Sequence, residues 1–153
     1  MSGDRYFIKD QNAVYFVTFT VIEWLDVFTR SNHKSVIVDS LNYCIENKGL
    51  NVHAWCLMTS HLHLIISAKE SFKLSAIIRD FKEHTAKEVI RLIKEEPESR
   101  RADYLSKFEA AGKKDKRITK YKFWQPSNHA IELEPFRPDI IDQKLNYIHY
   151  NPV

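Results

Sequence analysis

Residues 51–58 (NVHAWCLM) and 61–66 (HLHLII) are two runs dense in apolar and β-branched side chains, with only Thr59 and Ser60 between them. So short a link joins two strands as an antiparallel hairpin, because a parallel pair needs a crossover of about a dozen residues or more. The hairpin then fixes which side chains share a face. Strand side chains alternate, so His61 and His63 point one way and Leu62, Leu64 and Ile66 point the other, toward a core. Two imidazoles side by side on a rigid strand supply half of a metal site. Taken alone, His-x-His is also ordinary strand composition.

The remaining chain supplies the partners for this hairpin. Residues 13–22 (AVYFVTFTVI) read as a strand, and 29–32 as a turn or loop. Apolar residues at Val36, Ile37, Leu41, Cys44 and Ile45 predict a helix over 34–48, stopped by Gly49. A longer stripe, Leu74, Ile77, Ile78, Phe81, Val89, Ile90 and Ile93, predicts a second helix over 71–96, ended by Pro97. Residues 98–120 are a charged insertion or mobile arm with a short helix around 104–111. Residues 121–125 (YKFWQ) and 129–133 (HAIEL) read as short strand segments bridged by Pro126, and 138–150 as a last helix. Strands and helices interleave while neighbouring strands are hairpin-linked. That order predicts an α+β fold of the ferredoxin-like kind: an antiparallel sheet with helices packed on its faces.

The 153 residues suit one domain spanning 1–153, and 44% apolar content suffices for its core. The two cysteines, Cys44 and Cys56, have neither metal-ligand nor disulfide-framework spacing, so the expectation is reduced thiols in a cytosolic protein. No run of about 18 apolar residues occurs that would span a membrane. Net charge is only +3, but between positions 113 and 122 six basic residues (Lys113, Lys114, Lys116, Arg117, Lys120, Lys122) face a single acid, Asp115. Lys82, Lys87 and Arg91 add a basic face to the second long helix. Such a distribution attracts a polyanion, though a solvated loop reads the same way. Tyr121, Phe123 and Trp124 are aromatics available for base stacking, with core packing the better reading of the last two.

The end of the chain, Leu145-Asn146-Tyr147-Ile148-His149-Tyr150-Asn151-Pro152-Val153, changes the weighing of the histidines. Residues four apart on a helix share a face, which pairs Tyr147 with Asn151, and Pro152 ends the helix there. An amide oxygen beside a phenol complements what two imidazoles begin. His61-Leu62-His63, followed far downstream by Tyr147-Ile148-His149-Tyr150-Asn151-Pro152-Val153, resembles the HUH single-tyrosine transposases. The similarity is greatest to the REP-associated tyrosine transposases, relatives of the IS200/IS605 type. The hairpin context, Phe81-Lys82-Glu83-His84-Thr85 and Phe123-Trp124-Gln125 extend the resemblance over essentially the whole chain.

The resemblance implies a role for each matching position. Tyr147 is the expected nucleophile, cleaving and rejoining single-stranded, hairpin-containing DNA through a 5′-phosphotyrosine. His61, His63 and Asn151 are the expected ligands of a divalent ion, Mg²⁺ or Mn²⁺; in related families a glutamine often stands where Asn151 does. A bacterial, cytoplasmic protein acting as monomer or homodimer follows from the same resemblance. The chemistry suits these residue types. A phenol with an ordinary pKa of about 10 must lose its proton on attack, and a cation at the scissile phosphate offsets charge. The phosphotyrosine ester conserves bond energy, so rejoining needs no nucleotide cofactor, and no Gly-x-x-x-x-Gly-Lys loop is present to hold one.

Two other classes remain open at this stage: a non-catalytic nucleic-acid-binding module on the same sheet, and a small metal hydrolase built on His61, His63 and a carboxylate. Tyr150 is a rival phenol. His149 reads as structural or DNA-facing, His84 as solvated or phosphate-contacting, and His53 as packed near the site or inert.

Overall fold

The computed structural model describes residues 8–96, 99–115 and 120–133. The expected last helix over 138–150, with Tyr147 and Asn151, lies outside the described residues. Within them the chain runs β1 (Val14–Thr20), two short 3-10 turns, α1 (Ser31–Asn47), β2 (Leu50–Leu57), β3 (His61–Ala68), α2 (Leu74–Glu95), α3 (Arg101–Lys113) and β4 (Ile131–Leu133). The four strands form one sheet in the order β2-β3-β1-β4, and every neighbouring pair is antiparallel. This is the ferredoxin-like arrangement expected from the order of elements.

Alternation decides the two faces of the sheet. Tyr15, Val17 and Phe19 of β1 and Leu62, Leu64 and Ile66 of β3 join the main core, together with Ile37 and Leu41 of α1 and the apolar stripe of α2. Every predicted stripe residue of α2 is buried, so both long helices cover this face. Phe16, Ile65 and Leu133 form a second, smaller cluster with Val14, Ala54 and Cys56. His63 belongs to the face of that smaller cluster, as register and alternation require. In β2 the pairing slips between Val52 and Ala54. The extra residue of this bulge is His53, whose Nε2 lies 2.9 Å from Ser67 Oγ.

Three segments differ from their sequence reading. Helix α1 starts at Ser31 rather than 34, because His33 is buried and its Nδ1 reaches the Val27 carbonyl at 2.8 Å. A histidine so placed extends the helix upstream of its first aliphatic residue. Residues 121–125 form no regular strand. They follow the end of β1 through one isolated bridge, Val21 with Trp124, and through Gln125 N–H donating to the Thr20 carbonyl at 2.8 Å. Pro126 lacks the donor that would continue the ladder, and regular pairing resumes only at Ile131.

The third segment is the charged stretch, which holds a 13-residue helix, longer than expected. Tyr104 and Phe108, one turn apart, are 1% and 0% exposed. Phe108 lies 5.1 Å from the Phe123 ring, and Phe123 meets Trp124 edge-on at 4.9 Å. Trp124 Nε1 donates to Thr85 Oγ1 at 3.0 Å, and that hydroxyl donates to the Phe81 carbonyl at 2.8 Å. This aromatic run ties α3 and residues 121–125 to α2. Phe108→Ala is expected to destabilise the fold by about 3–5 kcal/mol through the cavity it leaves. Urea unfolding measures the loss; a change below about 1 kcal/mol would show that α3 docks without this anchor.

Candidate functional site

The central strands β1 and β3 present the candidate site. Their register sets Thr18 opposite His63 and Thr20 opposite His61, so two imidazoles and two hydroxyls share one patch of the sheet. The imidazole centroids are 4.8 Å apart and the rings nearly perpendicular, at 83°. His63 is 4% exposed and stacks on Phe16 at 5.7 Å, whereas His61 is half-buried. Each Nδ1 meets a hydroxyl: Thr18 Oγ1 at 3.1 Å from His63 and Ser60 Oγ at 3.0 Å from His61.

Burial holds both rings neutral. It lowers the His61 pKa below its ordinary value and takes His63 to about 4, with the neighbouring His61 adding to the effect at His63. A neutral imidazole is a metal ligand, and in the tautomer whose Nδ1–H donates to these hydroxyls each ring offers Nε2 as a lone-pair donor. The pair therefore fits a divalent cation as two of its ligands. Among the described residues no group of three or more His, Cys, Asp or Glu side chains gathers to complete one. Cys56, opposite His63 in the register, carries a thiol whose pKa burial raises, which disfavours the thiolate form a metal would need.

Sequence reasoning missed three contributors. Thr18 and Ser60 orient the rings, and alternation along β1 was the available signal for Thr18. The third is Trp24, in the turn just after β1, whose indole meets His61 at 5.5 Å, edge to face. Glu23 and Trp24 both have positive φ, 57° and 54°, a conformation costing a non-glycine residue on the order of 1 kcal/mol. No glycine marks that turn, so the sequence gives no sign of it.

The basic residues separate into groups. Lys82, Lys87, Arg91, Lys120 and Lys122 line an open groove of about 1130 Å³ between α2 and residues 120–128. Within it Arg91 bridges Glu88 and Glu95, each at 3.0 Å, and Lys122 pairs with Asp115 at 2.8 Å. Lys113 and Lys114 are exposed at the end of α3. Lys116, Arg117, Tyr147 and Asn151 lie outside the described residues. Phe123 and Trp124 are buried in the core, and Tyr121 lies under the Lys94 ammonium at 4.8 Å.

Lys82 serves the fold directly. Its Nζ donates to the Gln125 carbonyl at 2.9 Å and to Asn128 Oδ1 at 2.7 Å, fastening the segment that follows Trp124 to α2. Burial, helped by the nearby Lys122 charge, lowers its pKa to about 8. An unfolded lysine titrates near 10.4. Between about pH 8 and 10.4 the unfolded chain binds more protons, so the Lys82 contribution to stability rises with pH across that window. The wild type is expected to gain stability relative to Lys82→Met from pH 7.5 to pH 10 in paired urea titrations. Parallel curves would contradict the burial of this ammonium.

Comparison with known proteins places this arrangement. The solved structure of a REP-associated tyrosine transposase bound to a REP hairpin superposes with a TM-score of 0.64 at 15% identity, over 99% of this chain and 73% of that one. A protein from Deinococcus radiodurans assigned as a transposase superposes with a TM-score of 0.53 at 14% identity, over 95% of this chain and 96% of that one. At these identities the two structures establish the shared fold. No curated protein matches the sequence. The family described as Transposase IS200 like matches residues 10–151, nearly the whole chain, with His61 and His63 inside the match. With that span matched on a ferredoxin-like sheet that carries the paired imidazoles, the chain belongs to the IS200-like transposase family.

Proposed function

We propose that this transposase cleaves and rejoins single-stranded, hairpin-containing DNA, with Tyr147 as nucleophile and His61, His63 and Asn151 holding Mg²⁺ or Mn²⁺. The observation that carries the reading is the pair of neutral, hydroxyl-oriented imidazoles on β3, in a chain whose family match runs on to residue 151. Bound there, a divalent ion supplies charge neutralisation at the scissile phosphate. The residues do the rest. The Tyr147 oxygen forms a bond to phosphorus as the phosphorus–3′-oxygen bond breaks. The phenol proton passes to water or a base, and the departing 3′-oxygen takes up a proton to become a free hydroxyl. Attack by another 3′-hydroxyl on the phosphotyrosine reverses these events and frees Tyr147.

Neutral imidazoles and an amide bring no ligand charge, so the ion and the DNA phosphate are expected to bind together. The groove beside α2 suits the duplex stem of a hairpin: Lys87, Lys94 and Lys120 are exposed along it, and phosphate contacts of this kind give affinity without sequence choice. A REP hairpin is the ligand in the related solved structure, which makes a hairpin-bearing oligonucleotide the substrate to try first. The test is incubation of the chain with such an oligonucleotide and Mn²⁺, followed by a denaturing gel. A DNA-shifted protein band supports the reading. Binding with no cleavage under any divalent ion supports a non-catalytic module, and cleavage without a protein-linked product supports a metal hydrolase.

A further inference from the structure

Trp24 is 63% exposed, the most exposed of the large apolar side chains among the described residues. It is also held in an unfavourable backbone conformation, next to a second residue in the same conformation. The turn keeps that geometry because both of its ends are anchored. Val21 is fully buried and its N–H donates to the Ser60 carbonyl at 2.9 Å, while Leu25 is buried and its N–H donates to the Ile22 carbonyl at 3.2 Å. Two unfavourable features thus converge on one position, and each would vanish with a glycine or a polar residue there. Strain retained beside a site points to a use at that site.

The geometry points to that use, and we infer that Trp24 is a stacking platform for an unpaired nucleobase of the strand whose phosphate lies at His61 and His63. Among the described residues the indole makes one ring contact, with His61, 5.5 Å between centroids and 73° between planes, and its 63% exposure leaves much of its apolar surface to solvent. Glu23, also exposed, is the adjacent residue of the turn and carries a negative charge. A phosphate is repelled there, whereas a base, uncharged and flat, is not. An aromatic face binds bases of any sequence, so the contact selects for unpaired nucleotides rather than for a particular letter. A paired base keeps its faces inside the duplex stack. Trp24 would therefore discriminate single-stranded from double-stranded DNA at the cleavage position. This inference rests on the transposase reading above.

The test uses the full chain carrying Tyr147→Phe, compared with and without a change at Trp24, in the presence of Mn²⁺, with anisotropy of a fluorescein-labelled, hairpin-bearing oligonucleotide as the readout, so that the ion is kept while covalent cleavage is removed. Trp24→Ala is expected to weaken binding about tenfold and Trp24→Phe to restore most of it. Alanine takes the same backbone conformation no less easily than tryptophan, and the side chain removed is exposed, so the variant folds; an unchanged urea midpoint verifies this. A single abasic site walked along the unpaired strand should weaken binding by the chain that keeps Trp24 about tenfold at one position and leave Trp24→Ala no weaker there. Trp24→Ala binding within twofold of the chain that keeps Trp24, or an abasic penalty that persists in the variant, overturns the inference while leaving the transposase reading intact. A chain that keeps Trp24 and binds no oligonucleotide overturns both.

Discussion

Tyr147→Phe should leave oligonucleotide binding within about twofold of wild type and remove the covalent protein–DNA product entirely. The substitution deletes one oxygen and keeps the ring, so packing and phosphate contacts elsewhere persist. Loss of a nucleophile typically lowers turnover by about four to six orders of magnitude, here below the detection of a gel. Water does not replace the phenol productively, because a hydrolytic product carries no stored ester bond for rejoining. Gel-shift and denaturing-gel assays on the same preparation separate the two effects. Cleavage that persists at the wild-type rate would assign the chemistry to bound water and return the protein to the hydrolase reading. A product that persists at Tyr150 would keep the mechanism and move its nucleophile.

His61→Ala is expected to lower Mn²⁺-dependent cleavage about 10²- to 10³-fold, the scale on which a single stabiliser of transition-state charge acts. His61 is the cleaner of the two histidines to remove, being half-buried where His63 is 4% exposed. His63→Ala should lose as much activity and some stability besides. It leaves the Thr18 hydroxyl without its imidazole partner and the Phe16 ring without its stacked neighbour, at a cost of about 1–3 kcal/mol. Binding in EDTA should be unchanged for His61→Ala if, as proposed, the imidazoles act on the phosphate through the ion. Equal activity of wild type and both variants would remove the histidines from the site.

The hairpin and its histidine faces were readable from the sequence because strand alternation admits only two settings, and a wrong one would have buried His61 and exposed Leu62. The α2 stripe was readable for the same kind of reason, since one face of a long helix is apolar throughout. Legibility failed where tertiary contacts carry the meaning. Tyr104 and Phe108 are two aromatics in a charged stretch, and only the position of Phe123 makes them core. Lys82 reads as one more cation on a basic helix until the Gln125 carbonyl and Asn128 arrive from 43 and 46 residues away. Trp24 lies in a positive-φ turn that no glycine announces.

On the proposed mechanism one ion joins the two imidazoles of β3 to the end of the chain. Manganese anomalous scattering from crystals of Tyr147→Phe, grown with Mn²⁺ and a hairpin-bearing oligonucleotide, tests it most directly. The predicted map has a single peak bonded to His61 Nε2, His63 Nε2, Asn151 Oδ1 and a phosphate oxygen. The ring at position 147, from the same chain or a partner's, then faces that phosphate. A peak away from the two histidines, or position 147 remote from the phosphate in every copy, would contradict the account.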